Sequence, residues 1–148
     1  MDFSFVSFEA VVAADADELG AIRIAAMRES LERIGRFDPQ RARERFLATF
    51  DPRRTRYIVV DGVRVGFVVT RAEADCLFLN HLYVLPEHQG RGTGAQVLQH
   101  VFAEVDALRL PVRVGALRDS ASNRFYLRHG FVKTHEDAFD IYYLRPPC

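Results

Sequence analysis

The chain has 148 residues, 49% hydrophobic and 27% charged, with twenty basic against twenty acidic side chains and no net charge at pH 7. That is the composition of one globular domain, spanning 1–148, long enough to bury a core without disulfides. Zero net charge excludes a global attraction to nucleic acid or an anionic membrane, and Cys76 and Cys148 form neither a metal spacing nor a disulfide framework.

Phe3 to Val12 is rich in β-formers and reads as a first strand. Asp15 or Asp17 caps a helix running to about Ile34, in which Leu19, Ile22, Ala26, Leu31 and Ile34 roughly follow a helical period. Gly35 ends it. Asp38-Pro39 starts a second helix, with a carboxylate cap and proline at the first helical position, and Asp51-Pro52 stops it. Thr55 to Val60, Asp61-Gly62 and Val63 to Thr70 spell a hairpin, because Asp-Gly suits a two-residue type I′ turn. Cys76 to Val84 is the third strand of this meander.

A turn with alternate glycines, Gly90, Gly92 and Gly94, then launches a helix from about Gly92 to Leu108. Pro111 to Leu117 is a strand, Ser120 or Ser122 caps a short helix ending at His129-Gly130, and Phe131–His135 and Phe139–Leu144 are two closing strands. The order β-α-α-β-β-β-α-β-α-β-β gives the fold class: α/β (α+β), a mixed, twisted sheet of about six to seven strands. Helices cover both faces, with a parallel crossover through the glycine-launched helix. The Met1–Phe5 stretch lacks a basic region followed by an apolar run, and no apolar stretch is long enough to cross a bilayer, so the expected location is cytoplasmic.

The strand–glycine turn–helix junction is built to hold phosphate. Glycines let a ligand approach the backbone, and the helix start offers unpaired N–H groups and the positive end of its dipole. A P-loop is ruled out, since no Lys-Ser or Lys-Thr follows the glycines and the only lysine is Lys133. Gly90, Gly92 and Ala95 match a dinucleotide fingerprint in spacing. However, too little chain follows for the repeated strand–helix fold, and Pro86 to Gln89 is long for its first turn. A purely structural glycine turn is the remaining alternative.

Gln89-Gly90-Arg91-Gly92-Thr93-Gly94 resembles the Gln/Arg-x-x-Gly-x-Gly/Ala acyl-CoA motif of the GNAT superfamily of N-acetyltransferases. The strand exit Leu82-Tyr83-Val84-x-Pro86 resembles the family's approach to that motif. Asn123 to Phe131 resembles its second signature, Asn-x-x-hydrophobic or Tyr-x-x-x-Gly-Phe. The resemblance covers nearly the whole chain. It implies an acetyl-CoA-dependent N-acetyltransferase that moves acetyl to a primary amine by direct transfer in a ternary complex. A non-catalytic acyl-CoA-binding regulatory module is the alternative.

By the same resemblance, Gln89, Gly90, Arg91, Gly92, Thr93 and Gly94 cradle the CoA pyrophosphate. Leu82, Tyr83 and Val84 carry the strand backbone that pairs with pantetheine, and a backbone N–H there holds the oxyanion. Asn123 bonds the pantetheine arm. Arg91 has the alternative of facing solvent, and Asn123 that of capping its helix.

Tyr126 is the candidate general acid: a phenol with a pKa of about 10 can protonate a thiolate whose acid has a pKa near 8.5. Its alternative is a core ring packed beside Phe125 and Phe131. Many relatives carry a glutamate base where this chain has Phe78, which leaves His81 as the candidate proton acceptor or a merely packed histidine. The gap matters by acceptor: deprotonation at pH 7 costs about 4.6 kcal/mol for a lysine-like amine and about 1.1 kcal/mol for an α-amine.

The acceptor is a partner of unknown identity. Arg36, Arg41, Arg43, Arg45, Arg53, Arg54 and Arg56 lie where relatives shape the acceptor pocket, and they read as anion recognition or as a solvated helix face. His135, Glu136, Asp137 and Asp140 read as an acidic lining or an exposed turn. No histidine has metal spacing, so no metal cofactor is expected, and no aromatic-basic pattern calls for nucleic acid. A homodimer through the sheet edge or helices is compatible with the sequence, which does not establish it.

Overall fold

The computed structural model describes residues 5–147, so Cys148 and the predicted first strand before Phe5 lie outside it. The strands are β1 (Val6–Ala10), β2 (Thr55–Val60), β3 (Val63–Ala72), β4 (Leu77–Val84), β5 (Val112–Leu117), β6 (Val132–Glu136) and β7 (Asp140–Arg145). The helices are α1 (Ala16–Arg33), α2 (Pro39–Thr49), α3 (Thr93–Ala107) and α4 (Ser122–Arg128). The seven strands are hydrogen-bonded in the order β1-β2-β3-β4-β5-β7-β6, a mixed α+β sheet. β4 and β5 are parallel and joined through α3, while β1–β2, β2–β3, β5–β7 and β6–β7 are antiparallel. No helix among the described residues is long and apolar enough to cross a membrane.

The chain divides into two compact units, Met1–Val69 with His81–Val97, and Thr70–Asn80 with Leu98–Cys148. In the first, Val11, Leu19, Ile22, Phe46, Tyr57 and Phe67 form a buried cluster, with Phe50, Tyr83 and Leu85 packed against it. Leu19 and Ile22 bring the first half of α1 into this core; each such side chain contributes about 1.5–3 kcal/mol when fully buried. Asp38 caps α2 as predicted, its Oδ1 accepting from the N–H of Arg41 at 3.1 Å, with Pro39 at the first position.

Asp15 does not cap α1. Its carboxylate accepts from the N–H of Val12 at 3.0 Å and so closes the short turn before the helix. Asp61 and Gly62 have φ of 52° and 77°, the left-handed pair that a type I′ hairpin requires. The β2–β3 register shifts between Ile58 and Val59, and beside that irregularity stands Gly66. A Cβ at Gly66 would lie 1.9 Å from the carbonyl oxygen of Tyr83, so only glycine permits this approach of β3 to β4. Val65 O accepts from the N–H of Leu85 at 2.8 Å, fixing the point where the chain leaves β4.

In the second unit, Leu98, Val101, Phe102 and Val105 of α3 are buried at helical spacing. Phe131 packs on Phe102 and Tyr126, with ring centroids 6.0 and 5.2 Å apart. Arg145 pairs with both oxygens of Asp106, at 2.7 and 3.2 Å, and lies over the Phe102 ring. α4 begins at Ser122 with Ala121 ahead of it and no side-chain cap, so neither Ser120 nor Ser122 caps it. On the exposed strand β6, Lys133 pairs with Glu136 at 2.6 Å, an interaction that holds the Glu136 carboxyl below the usual range.

The close approach at Gly66 makes a direct prediction. Gly66→Ala should lower stability by about 3 kcal/mol, the scale of overpacking against a rigid backbone, as read from the urea unfolding midpoint. An unchanged midpoint would show that β3 and β4 separate freely.

Candidate active site

Strand geometry divides β4 into two faces. His81 and Tyr83 share one, and Asn80, Leu82 and Val84 point to the other. β4 pairs with β5 through Leu77, Leu79 and the intervening Phe78, and runs on from Asn80 to Val84 beyond its last β5 partner. The turn that follows is braced by Gln89, whose side-chain amide donates to the carbonyl of Val84 at 2.8 Å. Gln89 therefore acts on the turn itself. One acceptor site of Val84 is already used.

Gly90 and Gly92 have φ of 77° and 79°, values that L-residues rarely adopt, and a Cβ at either would meet no heavy atom within 4 Å. The glycines are thus required by backbone conformation, and the space before them is open. The N–H of Gln96 donates to Gly92 O at 3.1 Å, which makes Gly92 the residue ahead of α3. The N–H groups of Thr93, Gly94 and Ala95 precede that first helical bond and have no partner along the helix. Arg91 is exposed and Thr93 is buried. The Oε1 of Gln96 accepts from the N–H of Val6 at 2.9 Å, tying β1 to the first turn of α3. Backbone N–H groups at a helix start, with an arginine beside them, suit a pyrophosphate.

His81 lies in an aromatic corner. Its ring stacks on Tyr83 at 5.4 Å and stands 6.4 and 6.5 Å from Phe46 and Phe67. Its Nδ1 and the Tyr83 hydroxyl share a hydrogen bond of 3.1 Å. Burial, aided by the charge of Arg23, pushes the imidazole down to about 4. His81 is therefore neutral at pH 7 but a weak proton acceptor. Moving a proton to it from a lysine-like amine costs about 8.7 kcal/mol, against about 4.6 for losing that proton to water at pH 7.

In the second unit, Asn123 is the second residue of α4 and does not cap it. Its Nδ2 donates to Leu117 O and Ser120 O at 2.9 and 3.0 Å, and its Oδ1 accepts from the Tyr143 hydroxyl at 2.8 Å. Both amide protons are used, so only an Oδ1 lone pair is left for a ligand. Tyr126 is buried, with its ring edge-on to Phe125 and Phe131 at 5.3 and 5.2 Å. Phe78 lies under the Arg71 guanidinium at 4.6 Å and supplies no proton acceptor.

The arginine-rich segment is mostly a solvated face: Arg43 pairs with Asp17, and Arg53 and Arg54 pair with Asp51. Asp137 accepts from the N–H groups of Phe139 and Asp140 and from the Tyr142 hydroxyl, so it organises an exposed turn. Arg23 was not singled out from sequence. Its signal was position: four residues after Leu19 and three before Ala26, it places a charge on the apolar stripe of α1.

A family model described as the acetyltransferase (GNAT) domain matches residues 53–133, more than half of the chain. No curated protein matches. Among solved structures, an acetyltransferase from Thermus thermophilus is 22% identical, with 99% of each chain covered and a TM-score of 0.75. A GCN5-related N-acetyltransferase from Rhodopseudomonas palustris is 19% identical over 99% of this chain and 98% of its own, with a TM-score of 0.78. The PaiA N-acetyltransferase of Thermoplasma acidophilum, in complex with coenzyme A, is 15% identical over 95% and 98%, with a TM-score of 0.73.

The depressed imidazole has a pH signature. An unfolded histidine titrates near 6.5 and His81 in the fold near 4, so between these values the unfolded chain binds more protons. The resulting stability is complete above pH 6.5 and falls away as the pH drops to 4, by about 3 kcal/mol at most. Urea midpoints from pH 7 to 4.5 should fall less steeply in His81→Gln than in the wild type. Parallel slopes would place the imidazole in water.

Proposed function

Because the chain belongs to the GNAT acetyltransferase family, and so is an acetyl-CoA-dependent acetyltransferase, we propose that it is a cytoplasmic N-acetyltransferase acting on a primary amine. It works as one domain over 1–148, by direct transfer in a ternary complex. The observation that carries this reading is the turn at the start of α3, with left-handed Gly90 and Gly92, open space before them and helix N–H groups without intrahelical partners. These residues fit the pyrophosphate of CoA, with Arg91 adding charge, and the backbone of Leu82, Tyr83 and Val84 takes the pantetheine arm as an added strand.

Bound acetyl-CoA supplies an activated thioester. Tyr126 delivers a proton to the departing sulfur, and its packing between Phe125 and Phe131 fixes the ring that carries the hydroxyl. Asn123 holds α4 in place through its bonds to Leu117, Ser120 and Tyr143 and accepts from the donor with its remaining lone pair. His81 does not serve as a strong base. It accepts a hydrogen bond while neutral, and the acceptor enters as the free amine already present in solution. That route favours α-amines, whose deprotonation at pH 7 costs about 1.1 kcal/mol.

Two measurements test this. Thiol release from acetyl-CoA over a panel of α-amines, ε-amines and peptides should show turnover with α-amines ahead at pH 7, and Tyr126→Phe should lower kcat about 100-fold or more. Equal turnover by the variant would remove Tyr126 from the chemistry. CoA binding without turnover on any amine would favour the regulatory-module reading, which the phenylalanine at position 78 supports. Separately, Gly92→Val forces a β-branched residue into the left-handed region and should weaken CoA at least ~10-fold by calorimetry. Unchanged affinity would take the glycine turn out of the site.

A further inference from the structure

Arg23 is a half-buried cation with no anion beside it among the described residues. Its NH1 donates to the carbonyl of Ala42 at 2.6 Å, and its Nε is sealed from water with no hydrogen-bond partner. On α1, by contrast, Arg28 pairs with Glu32 and Arg33 with Glu29, and nearby Arg43 pairs with Asp17 and Arg64 with Glu9 and Glu18. A guanidinium drawn partly out of water without a carboxylate is an expensive arrangement, and a bound anion relieves it.

The neighbourhood has the character of a ligand site. Arg23 is bonded to Ala42, one turn of α2 ahead of Phe46, and the Phe46 ring stands 6.4 Å from His81, which shares its corner with Tyr83 and Phe67. In such apolar surroundings a guanidinium–carboxylate pair is stronger than in water. The imidazole is neutral there, so it adds no second positive charge and leaves hydrogen-bonding capacity for an incoming amine.

We propose that Arg23 anchors a carboxylate borne by the acceptor, so that the substrates are amines carrying a carboxyl group, with short peptides that keep a free α-amine the simplest case. The anchor contributes specificity: it holds the acceptor by its carboxylate while the amine is left to react. Its assignment to the acceptor rests on the acetyltransferase reading above, whereas the anion site itself does not.

The test separates the two. In the binding arm, His81 resonances are followed by NMR while unreactive N-acetylalanine or N-acetylalaninamide is added. The acid should saturate a site and the amide should bind about tenfold more weakly or worse, with the difference abolished in Arg23→Gln and reduced in Arg23→Lys. The wild-type comparison of acid with amide needs no variant, so misfolding of either substitution leaves it decisive.

In the activity arm, alanylalanine and alanylalaninamide, whose α-amines titrate alike, are compared as acceptors, and KM should rise at least tenfold for the amide. Equal binding of acid and amide, or turnover that ignores the carboxylate, overturns the anchor while acetyl transfer stands. Selective, Arg23-dependent binding of the acid without turnover of any amine supports the anchor and overturns acetyl transfer.

Discussion

The closeness of β3 and β4 at Gly66 is the constraint on which the first unit depends. With no side chain at that position, the carbonyl of Tyr83 comes within 1.9 Å of where a Cβ would sit. The approach settles which way β4 faces: His81 and Tyr83 are turned onto Phe46 and Phe67, and Leu82 and Val84 away from them. It also fixes where β4 ends, since Val65 receives the N–H of Leu85 just before the chain turns toward Gly90 and Gly92. The position of the glycine turn therefore follows from a residue more than twenty positions earlier.

Within each unit, side chains of polar type are spent on geometry, and at the glycine turn backbone groups are left for ligand. Gln89 closes the turn onto Val84, Gln96 fastens β1 to α3, and Asn123 ties α4 to β7 through Tyr143. Each is a long-range or turn-closing bond whose loss would move main-chain atoms, which is costlier than losing a contact at a flexible side-chain tip. The glycine turn is thus braced by Gln89, whose amide is already bonded to Val84.

Much of this was legible in the sequence. The Asp61-Gly62 hairpin, the Asp38-Pro39 helix start and the glycine-launched α3 each rest on a local backbone requirement that a short motif states directly. Where a residue had two possible partners, the motif was insufficient: Asp15 bonds Val12 ahead of the helix, and Asn123 reaches back to Leu117 and across to Tyr143. The weakened basicity of His81 was not legible either, because it arises from Phe46, Phe67 and Arg23, which are 35, 14 and 58 residues away in the chain. Arg23 announced itself only as a charge on an apolar stripe.

The chain's only lysine is held by Glu136 on β6, and its other permanently cationic side chains are all arginines. Thioesters acylate amines spontaneously when the amine is unprotonated, and guanidinium groups stay charged at any physiological pH. A protein that keeps acetyl-CoA close to its own surface has a self-modification problem, and this composition nearly removes it. Apart from the α-amino group, Lys133 is the single amine on which the donor could be wasted by the enzyme itself, and its ammonium is bonded to the Glu136 carboxylate at 2.6 Å.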